Sequence, residues 1–196
     1  MTQQHKTSSY TLWIGLFLSI LFVITFVAYW HQARLFPEQV MTNDITQLSA
    51  IFNKINDTCG ILNFQSNPAM IDFLNVISFK GSEVGSMTLK FPTKWEGPYL
   101  RDNPTIQEKH YQIVKTKHGY FVIPGNGVVL KNGLIMGKDI VINENTDMAE
   151  LIRNKSLVDS TGKPVALPIN TLNMISSITL EELFLYASHK LPFAQA

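Results

Sequence analysis

Residues 11–30 carry no charged side chain, and this uncharged stretch limits what the chain can fold into more than any other feature. At about 1.5 Å per residue, a helix over this stretch spans roughly 30 Å, the thickness of the hydrocarbon core of a bilayer. Aromatic residues, which prefer the headgroup layer, stand near both ends of the stretch: Tyr10, Trp13, Tyr29 and Trp30. We therefore predict a transmembrane helix over residues 10–30, with the lipid bilayer as a partner.

A cleavable secretory signal is the alternative interpretation of this stretch. Its apolar core would be only about 7–15 residues long and would end in a small-residue cleavage site. The run seen here ends in AYWHQARLF, so a retained anchor is favoured. Basic residues set membrane orientation, and they are few on both sides, with Lys6 before the stretch and Arg34 after it. We predict that residues 1–9 form a cytoplasmic tail and that the domain after the anchor is translocated.

The remaining composition fits one domain of ordinary size beside the anchor, because the chain has 196 residues. The formal net charge of +1 gives no strong electrostatic field, so we expect no nucleic-acid partner. Cys59 is the single cysteine, so an internal disulfide cannot form. We predict that Cys59 is a small buried residue, with a reactive thiol as the alternative.

An amphipathic helical stem is predicted over residues 31–60. Apolar residues recur there at steps of three and four, which places them on one stripe of a helix: Met41, Ile45, Leu48, Phe52, Ile55 and Cys59. This stripe should pack against whatever follows it in the chain. Pro37 should kink or interrupt the helix, and Gly60 is a suitable stop.

Residues 61–143 are predicted to form a small α+β domain. Asn67 and Pro68 suit a helix N-cap followed by proline at the first helical position, so we predict a short helix over residues 68–77. Residues 81–86 have the composition of a flexible connection.

Residues 110–143 have the pattern of a meandering antiparallel sheet built from local contacts. Turn residues separate short apolar runs, and an Asn-Gly pair suits a tight hairpin. The predicted strands are residues 110–116, 120–124, 128–130, 134–136 and 138–142.

Residues 144–196 are predicted to be a C-terminal extension with two short helices. Each helix begins with a capping-box pattern, Asp147 with Glu150 in the first and Thr179 with Glu182 in the second. The second helix should bury an apolar face: Leu180, Leu183 and Phe184. Between the helices, the sequence DSTGKP at residues 159–164 predicts a turn.

The loop after the predicted helix at 68–77 contains the stretch Trp95, Glu96, Gly97, Pro98, Tyr99 and Leu100. This stretch resembles the W-x-GPYL motif of the major pseudopilins of type II secretion, within the type IV pilin family. The order of membrane helix, amphipathic stem, second helix, loop and antiparallel sheet is similar to that family over roughly residues 11–140. Residues 159–164 resemble the D-x-x-G-x-P turn of the family, although they come later in the chain.

The resemblance implies an α+β fold with a transmembrane helix and stem, followed by a small antiparallel sheet domain with short flanking helices. It also implies a non-enzymatic structural or assembly subunit of a type II secretion or type IV pilus-type system. Such a protein is a single-pass protein of the bacterial inner (cytoplasmic) membrane with a periplasmic domain, and its partners are other pilin-like or secretion-system subunits. The alternatives are a singly anchored extracytoplasmic binding module unrelated to pili and a membrane-tethered hydrolase.

The chain departs from the family at its processing site. Prepilins are cut after a glycine that immediately precedes the apolar run, and a glutamate usually lies five residues into the mature helix. Here the nearest glycine, Gly15, is already inside the stretch, and Ile20 stands where the glutamate would be. Processing by a prepilin peptidase is therefore not predicted.

No motif for catalysis or cofactor binding is found: the sequence has no G-x-S-x-G elbow, H-E-x-x-H, P-loop or G-x-G-x-x-G. Oxygen-bearing side chains cluster at Asp139, Asn143, Glu144, Asn145 and Asp147. Their spacing matches no calcium loop, so we predict a solvated acidic turn with no metal and no cofactor, and a calcium site is the alternative.

Overall fold

The structure, a computed structural model, describes the backbone of residues 6–171 and the side chains of residues 13–27 and 38–171. The chain divides into two compact units, Met1–Glu38 and Gln39–Ala196. The first helix, α1 (Lys6–Cys59), contributes residues to both units. Within the described part of the chain, no helix combines the length and the hydropathy that crossing a membrane requires.

In the first unit, the large side chains of α1 between residues 13 and 27 are apolar and exposed on every face of the helix. Every large hydrophobic side chain from Trp13 to Val27 is between 50% and 71% exposed. The Ser19 hydroxyl donates to the carbonyl of Gly15 at 2.8 Å, and the Thr25 hydroxyl donates to the carbonyl of Leu21. The hydroxyls are thus satisfied within the helix. The remaining side chains of the predicted anchor, at 10–12 and 28–30, lie outside the described residues.

In the second unit, α1 buries one stripe of side chains in the domain core. Met41 is 4% exposed, and five further members of the stripe are fully buried: Ile45, Leu48, Phe52, Ile55 and Cys59. Gly60 follows the helix at φ +67°, a backbone conformation that glycine adopts without steric cost. Pro37 lies inside α1, so the predicted interruption of the helix there is wrong. Proline removes one backbone donor, and the helix continues on both sides of it.

Among the described residues, the strands form three small antiparallel sheets, and their buried side chains belong to the same core as the stripe. The largest has the strand order β2-β7-β8-β9, the second has the order β1-β4-β3, and β5 pairs with β6. The strands are β1 (Ile61–Phe64), β2 (Ala69–Met70), β3 (Glu83–Val84), β4 (Met87–Leu89), β5 (Thr105–Ile106), β6 (Lys109–His110), β7 (Gln112–Thr116), β8 (Gly119–Ile123) and β9 (Leu167–Ile169). The predicted α+β class with antiparallel sheets and short helices is confirmed.

The largest sheet is only partly local. Its centre is the predicted hairpin of β7 and β8, in which Val114 faces Phe121. On one side, Ala69 of β2 pairs with Ile113, and on the other, Pro168 of β9 pairs with Phe121. The prediction of a meander built from local contacts is therefore wrong, because segments far apart in sequence complete the sheet. Residues 144–171, predicted as part of an extension, contribute the edge strand β9.

The helix predicted over residues 68–77 does not form. The side-chain oxygen of Asn67 accepts a hydrogen bond from the backbone N–H of Lys115 at 3.0 Å, instead of capping a helix. Ala69 and Met70 then pair as β2. The apolar residues that follow pack into the core without regular structure: Ile71, Phe73 and Leu74.

Two other predicted segments also differ from the structure. Residues 81–86 contain strand β3, which pairs with β4 across a turn at Gly85 and Ser86, so they are not a flexible connection. Residues 138–142 make only one isolated bridge, between Met136 and Ile140, and residues 128–136 make one between Val129 and Ile135. The hairpin predicted over residues 128–136 and the strand predicted over residues 138–142 are therefore turns with isolated bridges.

The first predicted helix of the extension is confirmed as α2 (Met148–Arg153). Its N-cap is Asp147, whose side chain accepts a hydrogen bond from the backbone N–H of Glu150 at 3.2 Å. This contact satisfies one of the free donors of the first helical turn. The second predicted helix, with Leu180, Leu183 and Phe184, lies outside the described residues.

Candidate functional site

The loop at residues 95–100 is pinned to the core through Trp95. The indole N–H of Trp95 donates to the carbonyl of Val76 at 3.0 Å. The indole ring meets the ring of Phe79 edge-on at 5.4 Å between centroids and the ring of Tyr99 at 4.8 Å. Edge-to-face contacts at these distances are favourable aromatic arrangements. The three rings therefore hold the loop on residues 76–79.

Gly97 is required by this packing. A Cβ atom at this position would lie 2.2 Å from Nε1 of Trp95 and 2.4 Å from the carbonyl oxygen of Val76. The Gly97–Pro98 peptide bond is cis. After this bond, the backbone N–H groups of Tyr99 and Leu100 both donate to the carbonyl of Leu74, at 2.9 and 3.3 Å. The five predicted motif residues are thus brought together on one short segment of the core.

Asn103 is a positioning residue of this loop that the sequence reasoning missed. Its side-chain oxygen accepts from the backbone N–H of Leu74 at 2.9 Å, and its amide donates to the carbonyl of Asp72 at 2.7 Å and to the side chain of Asn75 at 3.1 Å. The sequence signal that could have indicated this role is the pair Asn103 and Pro104, which is typical of a turn. Asparagine side chains often form hydrogen bonds with backbone groups in turns. Asn103 therefore fixes the end of the loop to Asp72 and Leu74, and Trp95 fixes its beginning to Val76.

The loop also reaches α1. The ammonium of Lys54 lies 3.0 Å from the carboxylate of Glu96 and 5.6 Å from the centroid of the Tyr99 ring. Burial raises the pKa of the Tyr99 hydroxyl above its ordinary value. An open groove of about 510 Å³ runs beside this contact, lined by Asp57, Thr58, Thr93, Lys94, Trp95 and Glu96. The loop therefore joins the end of α1 to residues 71–79.

The five stem residues predicted to pack do so inside their own domain. Because Met41, Ile45, Leu48, Phe52 and Ile55 are at most 4% exposed, they are not available to another subunit. The exposed positions of this part of α1 are mostly polar: Gln39, Asn43, Thr46, Gln47, Ala50, Lys54 and Asp57. The exposed apolar surface of α1, as far as its side chains are described, lies at residues 13–27.

Polar contacts between α1 and the domain were not predicted. The hydroxyl of Thr42 donates to the carboxylate of Asp159 at 3.0 Å, and the hydroxyl of Ser49 donates to the carbonyl of Pro168 at 2.8 Å. Further along, the side-chain oxygen of Asn53 accepts from the backbone N–H of Asn170 at 2.9 Å. These three bonds fix the position of residues 159–170 along the length of α1.

The D-x-x-G-x-P turn at residues 159–164 has a structural role in this contact. The Asp159 carboxylate accepts hydrogen bonds from the N–H and hydroxyl of Thr161 and from the N–H of Lys163, at 2.7 to 2.9 Å. Burial alone would raise the pKa of Asp159, but these bonds and the one from Thr42 outweigh it and lower the pKa. An ionised Asp159 thus ties the turn to α1.

The oxygen-bearing residues considered for calcium are engaged in other contacts. Glu144 pairs with Lys115 at 3.2 Å, and Asp147 pairs with Lys117 at 2.7 Å. The Asp139 carboxylate accepts from the backbone N–H of Ile135, and the Asn143 side chain accepts from the N–H of Asn145. Among the residues that the structure describes, no group of three His, Cys, Asp or Glu side chains is placed to hold a metal ion.

No protein-family model, no curated protein and no solved structure matches this chain.

Proposed function

We propose that the chain is a non-enzymatic, membrane-anchored structural or assembly subunit of a type II secretion or type IV pilus-type system. The observation that carries this proposal is that two parts of α1 differ in the exposure of their apolar side chains. Residues 13–27 expose apolar side chains on every face, whereas the stripe from Met41 to Cys59 is buried in an α+β domain. In pseudopilins, which the chain resembles, one long helix likewise supplies both the membrane segment and the stem of the domain.

The apolar segment at 13–27 requires a partner that is not water. Burying one large aliphatic or aromatic side chain contributes about 1.5–3 kcal/mol. A helix that is hydrophobic on all faces is typical of a membrane span or of the interior of a large protein. The segment has no charged residue, so lipid and the equivalent helices of other subunits can both cover it. In lipid, such helices associate through close side-chain packing.

Membrane extraction of the full-length chain tests the anchor. The double variant Phe17→Lys/Ile24→Lys places two charges in the exposed apolar segment, where we expect loss of the chain from carbonate-washed membranes. The matched control Gln47→Lys/Ala50→Lys places two charges on exposed positions of the same helix within the domain, and this variant should remain in the membrane. Release of the unmodified full-length chain by carbonate would overturn the anchor.

Assembly is tested separately by photo-crosslinking in cells. A benzophenone side chain at Phe26 should produce a ladder of several linked copies or stable adducts with secretion-system subunits, because Phe26 is 54% exposed on the apolar segment. The same group at Gln47 is the control and should give no ladder. Carbonate-resistant protein without adducts from Phe26 would retain the anchor and reject the assembly role.

A singly anchored extracytoplasmic binding module is the second candidate. The observation that favours it is the absence of any carboxylate from residues 13–27, including Ile20, where the pilin family usually has glutamate. The open groove beside Trp95 would then be the surface to examine for ligands. The crosslinking result at Phe26 distinguishes the two candidates.

A further inference from the structure

Two turns of the second unit each contain an asparagine followed by a glycine, Asn126–Gly127 and Asn132–Gly133. In such a pair, the backbone nitrogen of the glycine can attack the side-chain amide of the asparagine and release ammonia, a reaction called deamidation. Glycine favours the attack because it has no Cβ atom to hinder the approach. All four residues are exposed. The sequence pattern alone therefore gives both pairs the same reactivity.

The backbone of the two turns does not distinguish the pairs either. The N–H of Gly127 donates to the carbonyl of Met136 at 2.7 Å, and the N–H of Gly133 donates to the carbonyl of Leu130 at 2.9 Å. Both glycines have a positive φ, +89° at Gly127 and +81° at Gly133. In each turn, one hydrogen bond must therefore open before the glycine nitrogen can react.

The two asparagine side chains differ in their contacts. The amide of Asn132 donates to the carbonyl of Ser156 at 3.1 Å, and its side-chain oxygen accepts from the N–H of Leu134 at 3.1 Å. These two bonds restrict rotation of the Asn132 side chain, and the bond to Ser156 holds the nitrogen that would have to leave. Among the described residues, none is hydrogen-bonded to the side chain of Asn126. Asn126 can therefore rotate into the position that attack requires.

The side chain of Asn126 is next to a glycine. A Cβ atom at Gly137 would lie 2.5 Å from Oδ1 and 2.6 Å from Cγ of Asn126. Because Gly137 has no side chain, position 137 does not cover the amide of Asn126, which is exposed to water. The later, hydrolytic step of deamidation needs this access.

The side chain of Lys109 lies beside the same turn. Its Cε atom, which carries the ammonium group, is 3.5 Å from the position of a Cβ atom at Gly127. Among the described residues, Lys109 forms no ion pair. The attack places negative charge first on the Gly127 nitrogen and then on the Asn126 oxygen, and a nearby cation stabilises such charge. Lys109 is therefore placed to favour the reaction at this pair.

We propose that Asn126 is a site of spontaneous deamidation in the folded chain and that its hydrogen bonds protect Asn132. Hydroxide removes the proton of the Gly127 N–H, and the nitrogen forms a bond to Cγ of Asn126. The bond from Cγ to the amide nitrogen breaks, and this nitrogen leaves as ammonia with a proton from water. Water then opens the cyclic imide at one of its two carbonyls, which leaves aspartate or isoaspartate at position 126.

The products change the turn in two ways. Either product places a new carboxylate beside Lys109, and isoaspartate also lengthens the backbone of the turn by one atom. This inference does not depend on the proposed function, because it needs neither membrane insertion nor assembly.

Incubation of the full-length chain in detergent at mildly alkaline pH tests the proposal, because hydroxide drives the first step. Trypsin cleaves between the two pairs, after Lys131, so they fall in separate peptides. Mass spectrometry at increasing times then measures the conversion of each asparagine. We expect Asn126 to convert at least about tenfold faster than Asn132, because two side-chain hydrogen bonds oppose the reaction only at Asn132.

The same chain unfolded in concentrated urea is the control, since unfolding removes the contacts of both side chains. There the two asparagines should convert at similar rates. The same excess of conversion at Asn126 in urea would overturn the protection of Asn132. Equal rates in the folded chain, faster conversion of Asn132, or no conversion of folded Asn126 beside clear conversion in urea would each overturn the proposed site.

The variant Lys109→Met removes the ammonium and keeps an apolar side chain. We expect the rate at Asn126 to fall about threefold, while an unchanged rate at Asn132 shows that the variant is folded. The matched control Lys80→Met removes an exposed ammonium outside both turns and should change neither rate. An unchanged rate at Asn126 in Lys109→Met would reject the contribution of Lys109.

Discussion

The hydroxyl of Tyr111 donates a 2.8 Å hydrogen bond to the carboxylate of Asp44, which joins the strand region to α1 across 67 positions of sequence. The side chain of Tyr111 is fully buried. Burial raises the pKa of the Asp44 carboxyl, and the bond from Tyr111 partly opposes this effect. Tyr111 is therefore the donor that makes a half-buried carboxylate tolerable on this face of α1.

Replacing Tyr111 with phenylalanine should destabilise the domain by about 1–3 kcal/mol, because the ring packing is kept while a half-buried acceptor loses its donor. Urea unfolding of the full-length chain in detergent measures the change. The control is Tyr120→Phe, since no described residue is hydrogen-bonded to the Tyr120 hydroxyl, and its effect should stay within about 0.5 kcal/mol. Equal effects of the two variants would contradict this role of Tyr111.

The charge of Asp159 should make stability depend on pH. Its pKa is lowered in the folded state from the ordinary value of 3.8, so its contribution is complete above that value and is lost as the pH falls through the folded pKa. Asp159→Asn should therefore cost about 1 kcal/mol at pH 7, with a smaller difference from the unmodified chain near pH 2. Unfolding curves at both pH values test this, and a difference that does not change with pH would contradict it.

Gly97→Ala should disrupt the loop around Trp95. The added methyl group would overlap the indole and the carbonyl of Val76, so we expect a loss of more than about 2 kcal/mol, as for overpacked sites. Thermal unfolding provides the measurement. Gly15→Ala is the matched control, because among the described residues no atom beyond the two flanking residues and the backbone of the helix itself lies within 4 Å of the added carbon. A comparable loss in that variant would reject the packing explanation.

The stem stripe should behave as part of the domain core. Ile55→Ala is expected to cost about 2–5 kcal/mol, since it removes a fully buried side chain and leaves a cavity. Ile77→Ala makes the same chemical change at a side chain that is 73% exposed, and it should cost less than about 0.5 kcal/mol. Denaturant unfolding separates the two, and a small effect at Ile55 would mean that the stripe does not hold the domain together.

Features encoded within a few residues were predicted well. The stripe from Met41 to Cys59 follows from helical periodicity, and the N-cap at Asp147 needs only a contact three residues away. The hairpin of β7 and β8 likewise depends on a turn between adjacent strands. Each of these is a short-range relationship, so its pattern can be read directly in the order of the residues.

Features that depend on distant partners were predicted poorly. Asn67 and Pro68 have the local pattern of a helix start, but the Asn67 side chain bonds to Lys115 and Ala69 pairs with Ile113. The positioning role of Asn103 similarly exists only because Leu74 lies beside it. Local preference is worth tenths of a kcal/mol per residue, so pairing and burial in the folded chain override it.

The sequence by itself determined that residues 11–30 are uncharged and apolar, that a stripe of apolar residues follows on the same helix, and that the rest forms an α+β domain. These properties depend on composition and periodicity. Only the tertiary structure decided that this stripe is used inside its own domain and that β9 completes the largest sheet. It also decided that Tyr111 is hydrogen-bonded to Asp44 and that Thr42 is hydrogen-bonded to Asp159. Such contacts join residues far apart in the chain, and their free energy arises only when the packed core brings those residues together.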